Sequence, residues 1–215
     1  MTEHRSPEEI PRYTANERTN HWLTAISFVL AALSGLALYH PATNWLAVLF
    51  GGGPWTRILH PFIGVLMALC FFVFAARMFR HNFLTRADIE WMRHAPDMLN
   101  MKEERLPEQG RYNGGQKLLF FALIFLVLGL LLTGVVMWRS YFSHWFSIEL
   151  IRLSSLLHAL FAFLMICAII VHIYAGIWVK GSIRAMTRGT VTPGWVWKHH
   201  RAWLRELRGT PTHDK

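Results

Sequence analysis

The sequence predicts an all-α integral membrane protein, a four-helix bundle with both termini on the cytoplasmic side. Three observations predict it. The 215 residues are 53% hydrophobic and only 16% charged, against about 25% charged in an average soluble domain. Four stretches are long and apolar enough to cross a bilayer. The basic residues between them are unevenly distributed, within a net charge of +9. A soluble globule of this length cannot hide so much apolar surface, so the excess faces lipid or partner subunits. Disorder, a disulfide scaffold and a repeat solenoid are excluded, and the length suits one membrane domain over 1–215.

The elements follow in order. Residues 1–20 are polar and of mixed charge, a tail rather than a cleavable signal. The spans run over about 21–39, 58–76, 118–138 and 153–179, and none contains an internal Asp, Glu, Lys or Arg. They are too uniformly apolar for the alternating strands of an outer-membrane barrel. The 78–117 connection holds ADIEWMRHAPDML, a candidate short helix on the membrane surface or under a partner. The 180–215 tail is basic and Trp-rich, which suits anionic lipid. The same residue types suit a phosphate backbone, but beside four spans the expectation is lipid and no nucleic acid.

Basic residues set the direction. The N-terminal tail carries three, Arg77 with the 78–117 connection eight, and the C-terminal tail eight. The other side holds only Arg57, Arg139 and Arg152. Both termini are therefore expected in the cytoplasm, and Trp22, Trp45, Trp55, Trp138, Trp145 and Trp178 near the span ends fit interfacial belts. Cys70 and Cys167 lie in apolar runs without a CxxC or CxxCH context, so they read as packing residues.

The twelve histidines need an explanation. Ionisable residues in spans are costly and usually functional. His21, His60, His158 and His172 lie in the spans or at their first turn. By topology His60 and His158 fall near the outer face, with Pro61 expected in a first helical turn, and His21 and His172 near the inner face. His158 and His172 are 14 residues apart, close to four turns, so they project from one helix face about 21 Å apart. Two stacked haems, each held by two histidines from different helices, need this arrangement. Gly35 lies 14 residues from His21, where a macrocycle at the outer level needs room. Without CxxCH the haems are b-type, and an iron with two histidine ligands serves electron transfer rather than oxygen chemistry. Hydrogen bonding across helices is the plainer role for any one of the four. His40, His144, His81, His94, His199 and His200 read as solvated or interfacial, and His4 and His213 as tail residues.

GRYNGGQK at 110–117 precedes span three on the cytoplasmic side, level with His21 and His172. Unpaired backbone N–H groups, the amides of Asn113 and Gln116 and close approach at Gly114 and Gly115 suit a quinone head group. An ordinary loop with a helix cap explains the same residues.

These segments resemble the gamma subunit, cytochrome b556, of the respiratory formate dehydrogenases. The similar stretches are RYTANERTNHW (12–22), RILHPFIGV (57–65), GRYNGGQK, TGVVMWRSYF (133–142), LLHALFA (156–162), VHIYAGIWVKGSI (171–183) and KHHRAWLRE (198–206). Ser140 stands where the family often has proline, and Arg201–Ala202 where it often has Pro-Arg. The resemblance implies two haems b, an outer one on His60 and His158 and an inner one on His21 and His172. It also implies a menaquinone or ubiquinone site at Asn113, Gly115, Gln116 and His172. The implied partners are an iron–sulfur beta subunit and a molybdenum or tungsten alpha subunit in a complex that can oligomerise further. The expected function is electron transfer across the bacterial cytoplasmic membrane to quinone, with no formate-oxidising site in this chain. The rivals are the cytochrome b anchor of a hydrogenase or other periplasmic oxidoreductase and, in another class, a proton or metal transporter or structural anchor.

Overall fold

The computed structural model describes residues 9–94 and 107–209. Four helices among them are long and apolar enough to cross a membrane. Helix α1 covers Ala15–Tyr39, α2 Gly53–Met78, α4 Gly114–Met137 and α5 Ile148–Trp178. Each contains nearly all of the corresponding predicted span and starts several residues earlier. At α1, α4 and α5 a side-chain cap accounts for the extension. Thr14 and Glu17 exchange hydrogen bonds at the start of α1, with Thr14 N–H donating to Glu17 Oε2 at 2.7 Å and Glu17 N–H to Thr14 Oγ1 at 3.3 Å. Pro61 consequently lies inside α2 rather than in its first turn. Its missing N–H leaves the carbonyl of Arg57 without that helical bond, which membrane helices tolerate.

Short helix α3, Arg86–Arg93, realises the first part of ADIEWMRHAPDML, and residues 95–99 of that segment lie outside the described residues. Thr85 and Asp88 cap it reciprocally. A 3₁₀ segment, Pro41–Phe50, follows α1, with the His40 ring accepting from Ala42 N–H. The C-terminal tail folds into helices α6, Ser182–Arg188, α7, Pro193–His199, and α8, Arg201–Leu207. Strands β1, Ile10–Pro11, and β2, Thr190–Val191, pair antiparallel.

The chain divides into two compact units, Thr19–Ala75 with Ala122–Tyr174, and Met1–Arg18 with Ala76–Phe121 and Ala175–Lys215. In the first, α1 and α2 run antiparallel, because Asn20 Nδ2 donates to the Cys70 carbonyl at 3.3 Å while Ser34 meets His60. Helices α4 and α5 are likewise antiparallel, with Thr133 at His158 and Gly129 against Phe161, where a Cβ would stand only 2.6 Å from the ring. Small residues thus let the helices approach, as membrane packing requires. Leu69, Phe125, Phe163 and Ile170 are exposed, as lipid-facing residues must be.

The second unit is held by aromatic and cationic side chains. Its core is Ala185, Val191, Val196, Trp203 and Leu204, with Ile10, Tyr13 and Trp195 packed against it. Arg12 is buried, its guanidinium 5.0 Å from the rings of both Trp195 and Trp203. Arg12 and Arg111 each donate to the other's backbone carbonyl. Lys117 Nζ lies 2.6 Å from Asp88 Oδ2, and both residues are buried. The tail, read from its basic and Trp-rich composition as a lipid anchor, has a packed core of its own. Trp203 is core and only Trp197 is exposed, because the N-terminal strand and residues 109–112 give the tail an apolar and aromatic surface to fold against. His200, expected in solvent, is also buried, with its Nδ1 donating to the Gly110 carbonyl at 2.7 Å and its ring on Trp195.

Candidate functional site

The outer histidines meet. The rings of His60 on α2 and His158 on α5 have centroids 6.3 Å apart and planes at 77°. Each is backed by a neighbouring helix through the same two-residue device, a hydroxyl followed by glycine. Ser34 Oγ on α1 lies 2.9 Å from His60 Nδ1, and Thr133 Oγ1 on α4 lies 2.9 Å from His158 Nδ1. A Cβ on Gly35 would stand 3.1 Å from His60 Cε1, and one on Gly134 would stand 3.4 Å from His158 Cε1. Glycine therefore lets the edge of each imidazole rest on the adjoining backbone.

The inner histidines meet in the same way. His21 on α1 and His172 on α5 have ring centroids 6.3 Å apart with planes at 54°. Phe74 and Trp22 stand edge-on to His21 at 5.9 and 5.5 Å. The Nδ1 of His21 is buried with no hydrogen-bond partner among the described residues. His172 is exposed in the isolated chain, whereas the other three are half-buried.

The GRYNGGQK segment is a helix cap. Asn113 Oδ1 accepts from Gln116 N–H at 2.9 Å, and Gln116 Oε1 accepts from Asn113 N–H at 3.1 Å. The side-chain oxygens are therefore used locally, and the two amide nitrogens make no hydrogen bond among the described residues. Gly114 and Gly115 admit helix α3, since Cβ atoms there would come within 2.7 Å of the Asp88 carbonyl and 2.8 Å of the Trp91 ring. Close approach does explain these glycines, but the group that approaches is the chain itself. Lys117, next in sequence, also donates to the Phe83 carbonyl at 3.0 Å.

The chain matches the family model described as prokaryotic cytochrome b561 over residues 12–189. It belongs to that family. It is 46% identical over 203 residues to the cytochrome b556(fdo) subunit of formate dehydrogenase from Escherichia coli K12, covering 94% of this chain and 95% of that protein. The cytochrome b556 subunit of formate dehydrogenase from Haemophilus influenzae is 41% identical over 197 residues, 92% of this chain and 83% of its own length. The nitrate-inducible cytochrome b556(Fdn) subunit of E. coli K12 is 38% identical over 191 residues, 89% and 88% respectively.

Membership in the cytochrome b561 family implies b-type haem in a multi-pass membrane protein, and the residues present fit such a group. Each pair brings two imidazoles from different helices to ring centroids 6.3 Å apart, a spacing compatible with one metal ion shared between them at nitrogen–metal bonds of about 2.0–2.1 Å. The His21 nitrogen without a partner and the glycines against the outer rings suit the same purpose. Residue types and the 14-residue interval identified the four histidines. Ser34, Thr133 and Gly134 escaped notice because a hydroxyl in a span ordinarily bonds to its own helix. Only the packing of α1 on α2 and of α4 on α5 reveals their second partner.

Proposed function

We propose that this chain is the dihaem cytochrome b subunit of a respiratory formate dehydrogenase, carrying electrons across the bacterial cytoplasmic membrane to quinone. The two facing histidine pairs, joined along α5 by the 14 residues from His158 to His172, carry the reading. Haem bound at the two pairs supplies reversible one-electron exchange. His60 and His158 would hold the outer iron, and His21 and His172 the inner one. An iron held by two imidazoles would serve electron transfer rather than oxygen chemistry.

Electrons enter on the periplasmic side from an iron–sulfur beta subunit, itself supplied by a molybdenum or tungsten alpha subunit that oxidises formate. The nineteen basic residues assigned to the cytoplasmic side support this orientation. Menaquinone or ubiquinone is reduced at Asn113, Gly115, Gln116 and His172. The amide nitrogens of Asn113 and Gln116 donate hydrogen bonds to the quinone oxygens, and the protons come from the cytoplasm. Moving each electron inward against a negative interior costs about 2.3 kcal/mol per 100 mV, so the step stores energy as membrane potential. The relatives' names favour this reading over a hydrogenase anchor, and cytochrome membership displaces the transporter reading.

Native complex, co-purified and analysed for metals, is expected to give a reduced-minus-oxidised b-type spectrum with two haems per copy of this chain. His158→Ala is expected to remove one haem and keep the other; survival of both would refute the pairing. Asn113→Ala is expected to slow quinone reduction while formate still reduces the haems. Unchanged turnover would exclude Asn113 from the quinone site.

A further inference from the structure

We propose that Ser34 and Thr133 are positioning residues that hold both outer histidines with the proton on Nδ1 and set the outer iron's reduction potential below the inner one's. The proposal rests on the haem reading above. It begins from the single proton each hydroxyl has to give. Ser34 Oγ stands 2.8 Å from the Leu30 carbonyl and 3.1 Å from that of Ala31. Thr133 Oγ1 stands 2.6 Å from the Gly129 carbonyl and 3.3 Å from that of Leu130. With the proton committed to its own helix, each oxygen is an acceptor toward the imidazole, 2.9 Å away in both cases. A hydroxyl whose one proton is already committed can only accept, so the ring donates. Nδ1 therefore carries the hydrogen, and Nε2 keeps its lone pair for iron.

The device occurs twice, as Ser34-Gly35 on α1 and Thr133-Gly134 on α4, serving His60 and His158 respectively. The hydroxyl anchors one ring nitrogen, and the glycine removes the Cβ that would push the ring edge away. The inner pair differs, because His21 Nδ1 is buried with no hydrogen-bond partner among the described residues. A ligand that donates from its distal nitrogen is more basic at the metal and stabilises the more positive, oxidised iron. The outer site, with both ligands so engaged, is thereby biased toward the ferric state relative to the inner site. Electrons arriving outside then run downhill to the inner haem, partly offsetting the cost of moving inward against the membrane potential.

The test is a redox titration of the intact complex, following the two haems separately by optical and electron paramagnetic resonance spectra. Ser34→Ala and Thr133→Val are each expected to shift the outer haem's equilibrium toward the reduced form several-fold, approaching tenfold, which corresponds to about 59 mV for one electron. The inner haem stays where it was. Ser34→Thr and Thr133→Ser, which keep the hydroxyl, are expected to retain the wild-type outer potential. Thr133→Val is close in shape, so it carries the test alone if Ser34→Ala sheds haem. An outer potential unmoved or lowered in Thr133→Val, with both haems retained, overturns the proposal while leaving the haem reading intact. An outer potential moved equally by Thr133→Ser also overturns it, since the hydroxyl is then not the cause. A wild-type complex without two b-type signals defeats the haem reading itself, and this proposal with it.

Discussion

His158 and His200 are chemically the same side chain in similar local settings, yet their surroundings suit them to different work. Each presents Nδ1 to an oxygen, Thr133 Oγ1 at 2.9 Å and the Gly110 carbonyl at 2.7 Å. His158 then faces a second imidazole from another helix, with ring centroids 6.3 Å apart. His200 faces tryptophan, with the Trp195 ring 4.9 Å away at 38° and Trp203 edge-on at 6.4 Å, and it is only 1% exposed. The first stands opposite a second imidazole, as the proposed haem pairing requires. The second is a core residue whose polar atom has been satisfied. A buried histidine is thus identified by what faces its other nitrogen, not by burial.

The largest expected effect breaks the two apart. His158→Ala removes a haem and with it about half of the b-type absorbance. His200→Ala leaves both haems and lowers stability by about 2–5 kcal/mol, as truncation of a well-packed core side chain does. Difference spectra and thermal unfolding of the same preparations check both halves. Loss of haem from His200→Ala would erase the distinction.

Lys117 and Asp88 place a charged pair in the same unit as His200. Lys117→Met leaves a buried carboxylate unpaired, at a cost of about 3–5 kcal/mol, whereas Lys117→Met with Asp88→Leu restores much of it. Unfolding of the single and double variants measures the difference.

The third prediction concerns pH. Burial first, and the Arg12 guanidinium second, push His200 down from its ordinary value to about 3. The folded state keeps the imidazole neutral, while the unfolded chain takes up a proton below about pH 6.5. His200 therefore costs nothing above that pH and removes stability as pH falls from about 6.5 toward 3. The slope is at most about 1.4 kcal/mol per pH unit. His200→Gln is expected to flatten that part of the stability profile, measured in detergent by chemical unfolding at several pH values. The smallest effect belongs to the surface. Arg201 stacks on Trp197 with its guanidinium carbon 4.6 Å from the ring, and Arg201→Ala is expected to cost no more than about 1 kcal/mol by the same assay.

Four spans, their order and the residues that pair across them were legible in the chain, because bilayer thickness and helical rise are constants that translate directly into residue counts. His158 and His172 needed only the interval of 14 between them. His200 was illegible for the opposite reason. Beside Lys198, His199 and Arg201 it looks solvated, and it is buried only because Gly110 and Trp195 meet it from distant parts of the sequence. The glycines of NGGQK were recognised as sites of close approach, but the approaching groups, Asp88 and Trp91, lie 23 or more residues earlier.

By itself, then, the sequence determined where the membrane helices lie and which histidines lie level with one another, since both follow from local periodicity and apolar length. Only the tertiary structure decided which oxygen lies beside the Nδ1 of His60, His158 and His200, that Ser34 and Thr133 occupy matching places against the outer histidines, and that the basic tail has a core of its own. Those features depend on contacts between segments 25 to 181 residues apart, and no local pattern encodes which segment a hydroxyl or an indole will meet.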